Sequence, residues 1–298
     1  MMTTKYKEIE TRQKLSRVIE ELSDERNLKT VVFSGSSGMC MPSMTVLKEI
    51  INLVRSVLFP GYFEEKTLSA YDRRYHIGVA IERLHSLLRD QVLAGMCFAE
   101  CECENLGELE KKADEVATTF LERLPEMRET LASDVVASYN GDPAAKSYGE
   151  VIFCYPVMKA LTNYRVAHEL LLLGVPIIPR FISEMAHSET GIDIHPGAKI
   201  GKSFTIDHGT GTVIGETAVI GNNVKIYQGV TLGAKSFPLD DNGNPIKGIP
   251  RHPHLEDDII VYSNASILGN ITIGRGSIIG GNTWIDYDVP AGSRIFKR

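Results

Sequence analysis

Few residues of this chain combine types and spacing suited to bond-making chemistry. The densest group lies in TIDHGTGTVIGETAVIG, residues 205–221, where Asp207 and His208 are adjacent in a run with little other charge. A second pair, Arg251 and His252, stands in RHP. Imidazole has an ordinary pKa of about 6.5, so a histidine beside an acid can take a proton from a weak nucleophile, ligate a metal, or close a turn. On these residues alone all three readings stay open.

A six-residue repeat positions them. Ile194, Ile200 and Ile206 are six apart, as are Ile214, Ile220, Ile226 and Leu232, and again Leu255, Val261, Ile267, Ile273, Ile279 and Ile285. Four residues after each comes a second set, mostly small or apolar: Ala198, Phe204, Thr210, Ala218, Val224, Val230, Ser236, Ile259, Ala265, Ile271, Ser277, Thr283 and Val289. Neither a helix nor an alternating strand has this period. It fits a coil with three flat sides, in which each hexad supplies a short strand and a corner, and aliphatics about eighteen residues apart stack into ladders at the spacing of neighbouring strands. The repeat breaks twice, and both breaks fall beside the chemistry. From Ile206 to Ile214 the step is eight, a two-residue slip at DHGTG; from Leu232 to Leu255 it is 23, one hexad plus the seventeen residues AKSFPLDDNGNPIKGIP. Insertions in repeat folds usually serve binding.

The first 190 residues have helical period instead. Leu15, Val18, Ile19 and Leu22 share one helix face, as do Ile77, Ile81, Leu84 and Leu88, and then Leu109, Ala113, Val116, Phe120 and Leu124. SGSSGMCMPS and FPGYFEE break these helices; the first lacks the lysine and spacing of a phosphate-binding loop. Net charge is −6 over 298 residues without a long basic cluster, which argues against nucleic acid and anionic membrane as partners. No apolar run spans a bilayer and no signal peptide precedes the chain, so a cytoplasmic protein is expected. Five cysteines suit free thiols, and CFAECEC (Cys97, Cys101, Cys103) lacks a second ligand group at zinc-site spacing.

DIHPGAKIG, DHGTGTVIGETAVIG, VTLG, RHP and ILGN, in this order, with NGDPAAKSY and NYRVAHELL upstream, resemble the serine acetyltransferases of the hexapeptide-repeat acyltransferase superfamily. The resemblance implies an α + β fold: an α-helical N-terminal domain, residues 1–190, serving oligomerisation and part of the serine site, then a left-handed parallel β-helix, residues 191–298, with an inserted loop at 234–250. It implies transfer of acetyl from acetyl-CoA to the hydroxyl of L-serine, giving O-acetylserine for cysteine biosynthesis, with L-cysteine as feedback inhibitor. His208 matches the family's general base and Asp193 its orienting carboxylate. Asp142 and Asp207 are expected to receive the ammonium, Arg251 and His252 the carboxylate. Asp142 comes from the helical part, so the site draws on both domains.

Acetyl-CoA is expected along the prism between two subunits, near Gly233, Ala234, Ser263 and Asn264. The lysine associated with the CoA end of relatives falls on Ile278 here, which leaves Arg275 for the phosphates. His195 and His168 are read as structural, and Glu216 as structural or secondary. A homotrimer or dimer of trimers without a metal is expected. Two other readings remain: a zinc-holding prism trimer, for which His195, His208, His252 and His254 have the wrong spacing, and a non-catalytic scaffold. A related acetyltransferase acting on an amino sugar is the nearer alternative. Relatives that bind O-acetylserine sulfhydrylase do so through a tail ending in isoleucine; this chain ends in Lys297 and Arg298, so that complex is not expected.

Overall fold

The computed structural model describes residues 2–24, 31–33, 41–63, 69–100 and 105–296. Cys101, Cys103, most of the Ser34–Ser43 segment, Lys297 and Arg298 lie outside the described residues. Among the described residues seven helices come first: α1 (Met2–Ser23), α2 (Met44–Leu58), α3 (Ala70–Glu100), α4 (Leu106–Gly141), α5 (Tyr148–Cys154), α6 (Pro156–Leu172) and α7 (Ile178–Thr190). Along α4 the helical period does what it implies: Leu109, Ala113, Val116, Phe120 and Leu124 are all buried. In α3, Leu84 and Leu88 are buried, with Ile77 and Ile81 half-buried against the same core. The stripe of α1 departs from expectation, since Leu15, Val18, Ile19 and Leu22 are exposed while α2, α3 and α4 pack on one another. Among the described residues no helix is long and apolar enough to cross a membrane.

Fourteen short strands follow: β1 (Asp193–Ile194), β2 (Lys199–Ile200), β3 (Thr205–Asp207), β4 (Val213–Ile214), β5 (Val219–Ile220), β6 (Lys225–Tyr227), β7 (Thr231–Gly233), β8 (His254–Leu255), β9 (Ile260–Val261), β10 (Ser266–Leu268), β11 (Thr272–Ile273), β12 (Ile278–Ile279), β13 (Trp284–Ile285) and β14 (Arg294–Ile295). They form three parallel sheets: face 1 in the order β1-β4-β7-β10-β13, face 2 as β2-β5-β8-β11, and face 3 as β3-β6-β9-β12-β14. The result is a three-sided parallel solenoid of about five turns. Of the thirteen ladder aliphatics, all but the half-buried Ile200 are at most 3% exposed. Each such side chain contributes about 1.5–3 kcal/mol by leaving water.

Register carries both breaks of the repeat. Thr205 pairs with Lys225, twenty residues on; Val213 pairs with Thr231, eighteen on; Val219 pairs with His254, 35 on, across the insertion. Thr210 and Ser236 were expected inside and are exposed. Thr212 and Pro253 take their places, because the extra residues precede the inner corner position instead of following it. The last turn is two residues short. Val289 bridges Ile273 and so occupies a ladder position, not the second set, and the ladder runs on to Ile295 beyond Ile285.

Helices close the first turn of the solenoid. Tyr164 donates to the Ala198 carbonyl at 2.6 Å, Arg165 to those of Ile200 and Gly201, and the amide of Phe204 donates to Asp134 at 3.0 Å. These groups satisfy backbone that would otherwise form an open sheet end. The same contacts hold the C-terminal end of α4 beside β3, which places Asp142 near Asp207.

Candidate active site

At the corner joining face 3 to face 1, the first turn has five residues, 208–212, where the next turn has three, 228–230. The longer corner lifts His208 outward, with φ at 60° and its side chain 76% exposed. Histidine is among the few non-glycine residues that tolerate this left-handed region. A side chain at Gly209 would be strained, since its φ is 97° and a Cβ would lie 2.4 Å from the Ile192 side chain.

Three expected residues meet at this corner. Asp142 follows the last residue of α4; its Oδ1 accepts from the Ala144 amide at 2.8 Å and its Oδ2 from the Tyr155 hydroxyl. The Tyr155 bond, then the Ala144 amide, hold the Asp142 carboxyl below its usual range, while the same bond pushes Tyr155 up to about 12. Asp207 lies with Oδ1 3.9 Å from His208 Nε2 and Oδ2 3.1 Å from Lys225 Nζ. One small cavity is bordered by Asp142, Tyr155, Asp207 and Lys225.

Asp193 is placed differently from expectation. It opens β1 and groups with Glu184 and His187, their ligand atoms within 4.8 Å of one another. Among the described residues it makes no hydrogen bond or ion pair with His208, whose ring lies 3.9 Å from Asp207 instead.

Arg251 and His252 come together at the next corner, between faces 1 and 2. Arg251 Nη2 donates to Glu216 Oε2 at 2.6 Å, and the Arg251 amide to Thr217 Oγ1 at 2.9 Å. Burial pushes Glu216 up, but the Arg251 bond and the charges of His195 and Arg251 leave it below its usual range. Burial, then the charge of Arg251, lowers His252 to about 4. Its Nδ1 accepts from the Thr217 amide at 3.1 Å, so the neutral ring carries its proton on Nε2. Gly215 is required beneath it: a Cβ would lie 2.1 Å from the ring. His195 and His168, read as structural, both bond to backbone groups. His195 Nδ1 accepts from Gly197, and His168 Nδ1 meets the Pro196 carbonyl at 2.7 Å.

The residues expected for acetyl-CoA divide between the same two corners, farther along the prism. Ser263 and Asn264 lie between faces 3 and 1, where Asn264 (φ 59°) folds over Gly229. Gly233 is the last residue of β7 on face 1, paired with Leu268, and Ala234 follows it toward face 2. Arg275 sits at the third corner, bonded to Asp257 at 2.6 Å, apart from both groups. Sequence reading missed Tyr155, Lys225 and Thr217; Glu216, read as structural or secondary, bonds Arg251. GET was in view as a motif, but Tyr155 and Lys225 carry no signal, since an outward lysine on a hexad looks like any solvated one.

No protein-family model matches the chain. It is 50% identical over 260 residues to a serine acetyltransferase of Synechococcus elongatus, covering 86% of this chain and 81% of that protein. A Bacillus licheniformis serine acetyltransferase is 47% identical over 165 residues, covering 55% and 72%. Among solved structures, Entamoeba histolytica serine acetyltransferase 1 in complex with L-cysteine superposes with a TM-score of 0.73 at 36% identity, over 87% of this chain and 88% of that one. The Neisseria gonorrhoeae serine acetyltransferase in complex with serine gives 0.55 at 26% identity, over 85% and 94%. With half its residues shared along most of both sequences, and the same helices-then-prism architecture, the chain belongs to the serine acetyltransferase family.

Proposed function

We propose that this chain transfers the acetyl group of acetyl-CoA to the hydroxyl of L-serine, giving O-acetylserine and CoA. The observation that carries the reading is the pairing of opposite character at two neighbouring corners: the acids Asp142 and Asp207 beside His208 at one, the Arg251 cation and the neutral N–H donor of His252 at the other. Serine carries the complementary pair, an ammonium and a carboxylate. His208 takes the hydroxyl proton as the oxygen attacks the thioester carbonyl, and returns it to the departing CoA thiolate. The reading keeps Asp193 as the orienting carboxylate, which requires the His208 ring to turn from its place beside Asp207 toward β1. The Arg251 fork and the Nε2–H of His252 hold the substrate carboxylate. L-Cysteine, with the same two charged groups, competes for the place; a relative has been solved with it bound.

In one chain the two corners are separated by the width of face 1, about 10 Å for three strand residues. Serine carries both charges on one carbon and cannot bridge that gap. The reading therefore includes a homotrimer, in which the His208 corner of one subunit faces the Arg251 corner of the next. Gly233, Ala234, Ser263 and Asn264 then border one groove for acetyl-CoA, while Arg275 stays outside it. A mixing experiment tests this. With serine held near the wild-type KM, chains carrying His208→Ala and chains carrying Arg251→Ala each release thiol from acetyl-CoA slowly alone, and co-expressed they regain it through hybrid interfaces. Mixed trimers that form and stay inactive would defeat the shared site, and wild-type release with homoserine or glucosamine exceeding that with serine would defeat the substrate assignment.

A further inference from the structure

Lys225 borders the same small cavity as the two carboxylates assigned to the substrate ammonium, bonded to Asp207 and to the carbonyl of the residue before Asp142. It occupies an outward position on β6, where the ladder fixes its backbone against Thr205 on one side and Ile260 on the other. Its side chain is 17% exposed. An ammonium has three hydrogens to place, and three partners surround this one. Asp207 Oδ2 is 3.1 Å away, the Gly141 carbonyl accepts at 2.5 Å, and the Tyr227 ring centroid is 4.5 Å off. Tyr227 is itself held by stacking on Tyr262, with centroids 5.1 Å apart. Gly141 ends α4, and its carbonyl is one that helix geometry leaves without an internal partner, at the negative end of the helix dipole. The residue after it is Asp142.

We propose that Lys225 is a positioning residue that ties the end of α4 to β3 and so sets the gap between Asp142 and Asp207 to the width of one amino-acid ammonium. This rests on the serine-site reading above. The charge count agrees with it: two carboxylates and one lysine leave a single negative charge, which one ligand ammonium neutralises. Lys225 does not touch the reacting atoms. It acts through Gly141 and Asp207, so its loss should weaken amino-acid binding without altering the chemical step.

Lys225→Met keeps the length of the side chain and removes its charge. Expected are a rise in the serine KM of about tenfold or more and a parallel rise in the L-cysteine inhibition constant, with kcat and the acetyl-CoA KM within about twofold of wild type. Lys225→Arg should restore part of the serine affinity. Amide hydrogen exchange over residues 142–146 should accelerate in the Met variant, which reads the link without reference to turnover. An unchanged serine KM, a loss of kcat or acetyl-CoA affinity in place of serine affinity, or unchanged exchange over 142–146 would each overturn the proposal. Wild-type turnover is measured first. Absence of serine-dependent thiol release would sink the functional reading, whereas the exchange result judges the lysine link on its own.

Discussion

Arg165 donates from both Nε and Nη2 to a single oxygen of Asp134, at 2.9 and 2.8 Å, while the other oxygen accepts from the Phe204 amide. One carboxylate, 0% exposed, thus joins α4 to α6 and both to the first turn of the prism. Burial pushes it up to about 6, against the opposing pull of Arg165 and the Phe204 amide.

Removing that carboxylate leaves the Arg165 charge buried without its partner. Asp134→Ala should cost about 3–5 kcal/mol of stability, and Asp134→Leu combined with Arg165→Met should cost less than the single change. Denaturant unfolding of the three proteins decides it. A single-variant loss below about 1 kcal/mol would show that the helices dock by apolar contacts alone.

His208→Ala should lower turnover at least about a hundredfold with little change in thermal stability, since the side chain is 76% exposed at a corner outside the ladder. Steady-state rates alongside a melting curve separate the two effects. Turnover within tenfold of wild type would remove His208 from the role of base.

Arg251→Ala should raise the serine KM at least about 30-fold, and the cysteine inhibition constant in step, because the half-buried cation proposed to pair with the carboxylate is lost. Glu216→Gln should move both in the same direction by less, since Glu216 aims the guanidinium through its 2.6 Å bond but does not contact the substrate. Divergence between the serine and cysteine effects would mean that the two ligands do not share a site.

His252 supplies a pH test whose sign is fixed by its shift. Its native pKa of about 4 lies below the ordinary 6.5, so between those values the unfolded chain binds a proton that the folded chain does not. Its contribution to stability is complete above pH 6.5 and is lost as pH falls toward 4. His252→Gln should therefore show a shallower loss of stability from pH 6.5 to 4.5 than wild type. Urea midpoints across that range measure the difference, and equal slopes would indicate a histidine already charged in the native state.

The prism was legible because burial acts at a fixed interval. Every sixth residue from Ile194 to Ile285 faces inward, and both breaks in that interval sit where the register changes. The last turn was hidden, since Val289 answers equally to the second set and to a ladder shortened by two. Asp207, His208, Arg251 and His252 stood out as charge in an apolar repeat. Lys225 did not, because its meaning depends on the Gly141 carbonyl, 84 residues away along the chain. The separation of Arg275 from the other residues expected for acetyl-CoA follows from counting corners, and the resemblance alone did not impose that count. Nor could the period of α1 disclose that its apolar stripe faces outward, because periodicity marks a face without naming what covers it.

The loop between β7 and β8 folds on itself. Leu239 bridges Pro245, and Asp240 Oδ1 accepts from the amides of Asn242 and Asn244. Its side chains are almost all exposed, and the chain resumes the ladder at Leu255, directly above Ile220. The ladder is therefore blind to how far the chain wanders between two of its rungs. Natural variation in length at this point is silent to the scaffold, and the same point is a ready port for an engineered insert such as an affinity tag. What such a change does reach is Arg251, the first residue after the loop, whose amide and guanidinium are tied to Thr217 and Glu216; under the proposed function the detour meets the site at that one residue, while the frame that carries it stays unaltered.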